Sequence, residues 1–115
     1  MSISDTKIVK KILNFIEKIN SLKNSIEKKE TILKEEYMIY DLYSFYLAQI
    51  GEEAKKLTEE FISANNQIER KSIKGLRDKI VHHYGYIDTF KIDEIIKKDI
   101  PKLKKFCKKI LNKTN

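Results

Sequence analysis

The chain has 115 residues, which is enough for one small hydrophobic core but not for two. Its longest stretch without a charged residue, Leu42–Gly51, is about half as long as a membrane-spanning helix. A single cysteine excludes an internal disulfide and a cysteine-based zinc site. We therefore expect a single domain over residues 1–115 in a soluble, cytoplasmic protein without membrane contact.

The net charge of +7, from 24 basic and 17 acidic residues, is concentrated near the end of the chain. Residues 1–96 carry 16 basic and 16 acidic side chains, whereas residues 97–113 carry eight lysines and one acid, Asp99. This distribution excludes a uniformly basic coat and indicates a local basic face.

Apolar residues at positions 8, 12, 15, 19, 22 and 26 alternate spacings of four and three, which predicts a helix over residues 5–28. Ser4, Asp5 and Thr6 supply its predicted N-cap. The polar run 27–31 is compatible with either a break or a solvated turn.

A second apolar stripe at positions 43, 47, 50, 54, 57 and 61 predicts one long helix over 33–63, with Gly51 tolerated inside it. Residues 63–67 are predicted to form a loop, and a third helix follows over 69–83. Gly85 has the place of a helix-stopping glycine.

Asp88 is a predicted N-cap for a fourth helical segment, in which Ile92, Ile95 and Ile96 face inward. Pro101 is predicted to start or kink a last helix. Because no alternating strand pattern occurs, the sequence predicts an all-α fold, an antiparallel bundle of four or five helices.

Residues 76–88 contain both histidines and one of the two arginines. Arg77 offers a planar, bidentate grip on phosphate or carboxylate that lysine does not. At about 100° per residue, His82 faces away from the apolar stripe, and Asp78 can reach its imidazole from four residues before. Since Arg77 and His82 are about 140° apart on an ideal helix, a site built from them fits best between two protomers.

Purely structural interpretations of this segment stay open. A histidine near a helix C-terminus interacts favourably with the helix dipole. Arg77 could equally pair with Asp78 or with a glutamate of the second helix.

Arg77, His82 and Tyr84 form an R-x4-H-x-Y pattern that resembles the signature of HepT-like toxins, a branch of the HEPN family. The resemblance covers nearly the whole chain. It includes Asp41 with the Ile-Gly-Glu-Glu-Ala run at 50–54, and Asp-Ile-Pro-Lys-Leu at the start of the last helix.

The resemblance implies a HEPN-type helical bundle that forms a homodimer. In this family two R-x4-H motifs meet in a cleft and cleave RNA without a metal or other cofactor. By carry-over, His82 would act as the acid or base, Arg77 would hold the scissile phosphate, and Asp78 would orient His82.

The resemblance also implies a cognate antitoxin, a minimal nucleotidyltransferase of the MNT type. Such an enzyme neutralises the toxin by attaching AMP to the motif tyrosine, which is Tyr84 here. The added phosphates would place negative charge beside Arg77 and block the path of the RNA.

Two further hypotheses stand beside the ribonuclease. Glu69 and Arg70 occupy places where the family often has a Pro-Trp pair, which leaves room for a nuclease-inactive bundle that binds the nucleotidyltransferase. A plain helical dimerisation protein is the third possibility.

Other groups have simpler expected roles. The tyrosines at 37, 40, 43 and 46 are distributed around half the circumference of the second helix. This distribution favours packing and a dimer surface over base stacking. Glu52 and Glu53 are predicted to be solvated or hydrogen-bonded, not metal ligands. The lysines of the last helix form either a solvated face or an electrostatic attraction for RNA.

Overall fold

The computed structural model describes residues 3–65 and 89–113, and all regular structure within them is helical. The elements are α1 (Ile3–Glu27), α2 (Glu36–Ala54), α3 (Glu59–Ala64), α4 (Thr89–Glu94), a π-helical turn (Ile95–Asp99) and α5 (Ile100–Lys113). The prediction of an all-α fold is confirmed. The predicted helix over 69–83 lies outside the described residues.

The polar run after α1 is a break in the helix, not a solvated turn within it. The Glu30 N–H donates to the Ser25 carbonyl at 2.8 Å, and the Lys29 N–H donates to the Ile26 carbonyl at 3.1 Å. This bond pair is the Schellman arrangement, which places one residue in the left-handed region. That residue is Lys29, with φ of 58°, so a side chain occupies a position that glycine normally takes.

The predicted long helix over 33–63 is wrong, because the chain breaks between α2 and α3. The Thr58 side chain accepts a hydrogen bond from the Phe61 N–H at 3.1 Å and so caps α3. Glu59 and Glu60 complete a favourable first turn, since carboxylates stabilise a helix N-terminus. Leu57 and Phe61 stay buried on both sides of the break, which is why the apolar spacing alone did not reveal it.

The predicted N-cap of α1 is also wrong. The helix already includes Ile3 and Ser4, and Asp5 lies in its first turn with only 1% of its surface exposed. Its carboxylate accepts two hydrogen bonds from Thr58, from the backbone N–H at 3.0 Å and from the hydroxyl at 2.8 Å. Asp5 therefore ties the start of α1 to the start of α3.

Residues 89–113 form one helical run that is interrupted only in its hydrogen-bond pattern. The Ile100 N–H donates to the Ile95 carbonyl, five residues earlier. Pro101 accounts for this wider turn, since it has no N–H and its ring would clash with the Lys97 carbonyl in a regular α-helix. The predicted kink at Pro101 is thus realised as a π-turn, and the predicted burial of Ile92, Ile95 and Ile96 is confirmed.

Four contacts define the directions of the helices. Asp5 meets Thr58 and Phe15 meets Tyr46, with ring centroids 6.3 Å apart, so α1 and α2 are antiparallel. At the other end of α2, Tyr40 contacts Asp93. In α3, Phe61 contacts Phe106, with ring centroids 6.1 Å apart. The 89–113 run is therefore parallel to α2 and antiparallel to α1, as predicted for an antiparallel bundle.

One cluster of buried side chains joins all of these elements. Ile16, Ile19 and Ile50 are fully buried at its centre. The α1 stripe is wider than predicted, because Val9 and Ile16 are buried beside the predicted positions, whereas Phe15 is only partly buried.

Candidate functional site

The four residues that the sequence singles out for chemistry, Arg77, Asp78, His82 and Tyr84, lie in the segment 66–88, outside the described residues. Their roles stay predictions. The described neighbours of this segment, Asn65 and Thr89, lie at opposite ends of the bundle, near the Phe61–Phe106 contact and near the Tyr40–Asp93 contact respectively.

The outer side of α5 is a strongly charged surface in the described residues. The opposite side of α5 packs against the core, where Leu103, Phe106, Cys107 and Ile110 are buried. Helical spacing places the remaining lysines together on the solvent side. We call this surface the lysine face; its members, all exposed, are Lys102, Lys105, Lys108 and Lys109.

Two neighbouring lysines are partly neutralised, whereas the lysine face is not. Lys98 lies 3.3 Å from a carboxylate oxygen of Glu94, and Lys104 lies 3.6 Å from one of Glu17. Among the described residues, no carboxylate lies within 4.0 Å of the four lysine-face ammonium groups. Positive potential therefore concentrates along this side of the helix.

The outer side of α2 is the second surface of interest, because it exposes large apolar side chains. Tyr37 is 62% exposed, Phe45 is 54% exposed and Met38 is also exposed. Tyr43 is buried on the opposite side and Tyr46 is partly buried. The prediction that the tyrosines contribute to packing is confirmed for these two. Apolar groups of this size on an exposed helix are typical of a protein contact surface.

Glu52 and Glu53, both weighed as candidate acidic groups, have different environments. Glu52 is exposed, whereas Glu53 is buried and one of its oxygens accepts a hydrogen bond from Lys56 at 3.1 Å. The predicted solvated and hydrogen-bonding roles are therefore confirmed. The second Glu53 oxygen, Oε2, is buried and has no hydrogen-bond partner, which makes it the least satisfied buried polar atom in the described part of the chain.

Tyr40 joins α2 to α4. Its hydroxyl donates to both carboxylate oxygens of Asp93, at 2.8 and 2.9 Å. Burial, followed by this hydrogen bond and the negative charge of Asp93, raises the pKa of the Tyr40 phenol to about 12. The phenol is therefore a fixed donor at neutral pH and is not a candidate acid or base.

The sequence interpretation missed the contact between Asp5 and Thr58, which positions the chain just before the segment 66–88. The signal that could have found it is Thr58 followed by Glu59 and Glu60, a typical helix N-terminus. Within residues 3–65 and 89–113, no three His, Cys, Asp or Glu side chains are grouped as metal ligands. No helix there is long and apolar enough to cross a membrane.

Comparison with known proteins places the chain in a family. The profile of the family described as "Ribonuclease HepT-like" matches residues 12–110. The chain belongs to the HepT-like ribonuclease family. The match covers α2, α3, α4, the π-turn and most of α1 and α5, and its range includes the R-x4-H-x-Y pattern and the lysine face.

Relatives of this HepT-like protein are named, provisionally, as RNases. One, from Caldanaerobacter subterraneus subsp. tengcongensis, is 42% identical over 64 residues, which are 56% of this chain and 57% of the relative. Two from Methanocaldococcus jannaschii are each 35% identical over 65 residues, 56% of this chain and 56% and 54% of the relatives. The chain thus spans little more than half the length of these relatives. No solved structure matches it.

Proposed function

We propose that this HepT-like protein is an endoribonuclease toxin, formed by a single HEPN domain and active in the cytoplasm. The observation that carries the proposal is the family match over residues 12–110, which includes Arg77, His82 and Tyr84 in the order of the family signature. The provisional RNase names of the relatives support the same substrate class.

The proposed chemistry uses the RNA's own 2′-hydroxyl as the nucleophile. Its oxygen attacks the adjacent phosphorus while the bond from phosphorus to the 5′-oxygen breaks, leaving a cyclic phosphate and a free 5′-hydroxyl. His82 accepts the 2′-hydroxyl proton or protonates the leaving 5′-oxygen, and water makes the other of these two proton transfers. Arg77 stabilises the charge that develops on the phosphate, and Asp78 orients His82. The reaction is proposed to need no metal ion.

The described flanks are compatible with a helix that carries these residues. Along the helical run, the distance from Asp93 to Phe106 is about 20 Å, since an α-helix rises about 1.5 Å per residue. The predicted helix over 69–83 would be about 22 Å long, enough to connect the two ends of the bundle at which Asn65 and Thr89 lie.

We further propose a homodimer in which the outer side of α2 forms part of the contact. Tyr37, Met38 and Phe45 supply the apolar area that such a contact buries. Phe45→Asp should shift the protein from dimer to monomer in sedimentation velocity. Ile32→Asp, which changes a large apolar side chain that is 89% exposed and lies outside α2, should leave the dimer intact.

The proposed partner is an MNT-type nucleotidyltransferase antitoxin that transfers AMP to Tyr84. The tyrosine oxygen would bond to the α-phosphorus of ATP, and pyrophosphate would leave. Co-expression of the two proteins should raise the intact mass of this chain by whole AMP units. The same experiment with Tyr84→Phe should leave the mass unchanged.

Cleavage of RNA by the purified protein tests the main proposal. The wild-type protein should cleave RNA in the presence of a chelator, and Arg77→Ala and His82→Ala should each abolish cleavage without loss of helical signal in circular dichroism. Equal activity in wild-type and His82→Ala protein would contradict the proposal.

A nuclease-inactive bundle that binds the nucleotidyltransferase is the second candidate. The departures at Glu69 and Arg70 from the family's Pro-Trp pair favour this alternative. A stable complex with the nucleotidyltransferase, combined with intact RNA, would identify it.

A further inference from the structure

The lysine face combines three properties: high charge, exposure and the absence of ion pairs with acids in residues 3–65 and 89–113. Its four members lie along about 10 Å of helix, from Lys102 to Lys109, at a rise of about 1.5 Å per residue. In the described residues no acid pairs with them, whereas Lys98 and Lys104 each have a glutamate partner. Within the described part of the chain, these four lysines are therefore cations without an acidic partner on one side of a helix, and like charges this close repel one another unless an anion binds.

A membrane surface does not fit this helix. Amphipathic helices bind membranes by inserting their apolar side below the lipid headgroups. The apolar side of α5 is committed to the core, where Ile100, Cys107 and Ile110 are each 1% exposed. Electrostatic attraction alone would remain, without the apolar area that anchors such helices.

An acidic protein partner fits less well than a nucleic acid. Protein interfaces contain a buried apolar centre and are depleted in lysine. The exposed side of α5 offers lysines and Pro101 but no large apolar side chain. Phosphate backbones, in contrast, are bound by lysine as a point charge, without any apolar contact.

We propose that the lysine face of α5 binds the phosphate backbone of the RNA substrate. This inference rests on the proposed ribonuclease function and adds a substrate-binding surface to it. Binding displaces counterions from the RNA, so the affinity depends on salt in proportion to the number of lysine–phosphate contacts. The surface holds RNA of any sequence, because phosphate contacts carry no base information.

The test compares two variants that have the same net charge but lose lysines from different helices. The first replaces the lysine face with glutamine: Lys102→Gln, Lys105→Gln, Lys108→Gln and Lys109→Gln. The matched control replaces four exposed lysines of α1: Lys7→Gln, Lys10→Gln, Lys11→Gln and Lys23→Gln. Both are made with His82→Ala so that the RNA stays intact, and circular dichroism checks that both are folded.

The measurement is the affinity for a fluorescein-labelled single-stranded RNA, by anisotropy, at several salt concentrations between about 50 and 200 mM. Each lysine–phosphate contact contributes about 0.7 to the magnitude of the slope of log affinity against log salt concentration. The slope of the lysine-face variant should therefore be smaller in magnitude by nearly 3. At the lowest salt it should bind at least about tenfold more weakly than the α1 variant, which should keep most of the wild-type slope.

Each alternative result has a clear meaning. Equal slopes for the two variants would overturn the inference, as would loss of binding to anionic vesicles or to the nucleotidyltransferase with RNA binding unchanged. If wild-type protein binds RNA through the lysine face but does not cleave it, the proposed ribonuclease fails and the binding surface stands. If wild-type protein cleaves RNA and the two variants bind RNA equally well, the proposed ribonuclease stands and the proposed binding surface fails.

Discussion

The contact between Asp5 and Thr58 should contribute strongly to stability, and Thr58→Val tests this. Valine keeps the shape of threonine but removes the hydroxyl, which donates to the Asp5 carboxylate at 2.8 Å and accepts from the Phe61 N–H at 3.1 Å. A hydrogen bond to a charged group contributes about 1.5–3 kcal/mol, and a helix N-cap about 1 kcal/mol. Thr58 itself is exposed, so we expect a loss at the lower end, about 2–3 kcal/mol.

For a domain of this size such a loss corresponds to a decrease in Tm of roughly 8–12 °C. Chemical denaturation followed by circular dichroism measures the free energy of unfolding directly. Thr58→Ser, which retains the hydroxyl, is the matched control and should lose less than about 1 kcal/mol.

A double-mutant cycle with Asp5→Ala isolates the contact between the two side chains. The two substitutions should be non-additive by about 1.5–3 kcal/mol, the free energy of the hydroxyl–carboxylate bond. Additivity within about 0.5 kcal/mol would show that the two side chains do not stabilise each other, and the reasoning would be refuted.

Three further predictions concern single positions. Lys29→Gly should stabilise the protein by about 0.5–1 kcal/mol in urea unfolding, because glycine adopts the left-handed conformation of Lys29 without strain; Lys28→Gly, which precedes that position, should not stabilise it. Burial raises the pKa of the Cys107 thiol to about 12, so a thiol reagent at pH 8 should label it only after unfolding; rapid labelling of native protein would contradict the structure. Because the folded-state pKa of Tyr40 is raised from 10.0 to about 12, its contribution to stability is complete below pH 10 and is lost as the pH rises toward 12. Tyr40→Phe should therefore show a shallower decrease in unfolding free energy between pH 9 and 11 than wild-type protein.

The apolar periodicity predicted the packing of the helices well, because burial of one side is what creates that periodicity. Ile8, Ile12, Ile19 and Leu22 are buried, as the first apolar stripe predicts. All six residues of the second stripe, at positions 43, 47, 50, 54, 57 and 61, are also buried. The break before Thr58 was missed for the same reason. The stripe records which side chains face the core, and Leu57 and Phe61 face it whether or not the backbone between them is helical.

The polar contacts could be predicted less well from the sequence. Asp5 and Thr58 are 53 residues apart, so no local pattern relates them, and Asp5 resembles an N-cap in its own surroundings. The charge of α5 was predictable as a count of lysines. The position of its acidic partner depends on packing, since Lys104 is paired with Glu17 of α1.

The candidate catalytic residues follow from the sequence alone. Arg77, His82 and Tyr84 were selected by their types, their spacing and the family pattern, and family membership over residues 12–110 supports that selection. Asp78 was selected by helical geometry as well. The structure adds the bundle formed by residues 3–65 and 89–113 and two exposed surfaces, on α2 and α5, for which we propose contacts with a second copy and with RNA.

The central claim is that Arg77 and His82 cleave RNA by using its 2′-hydroxyl. The most direct test is to incubate wild-type protein, Arg77→Ala and His82→Ala, all in the presence of a chelator, with one oligonucleotide as RNA and as DNA. Wild-type protein should cleave the RNA to cyclic phosphate ends, and both variants should leave it intact. The DNA should survive because it has no 2′-hydroxyl. Cleavage of the DNA, or cleavage of RNA by His82→Ala at the wild-type rate, would contradict the central claim.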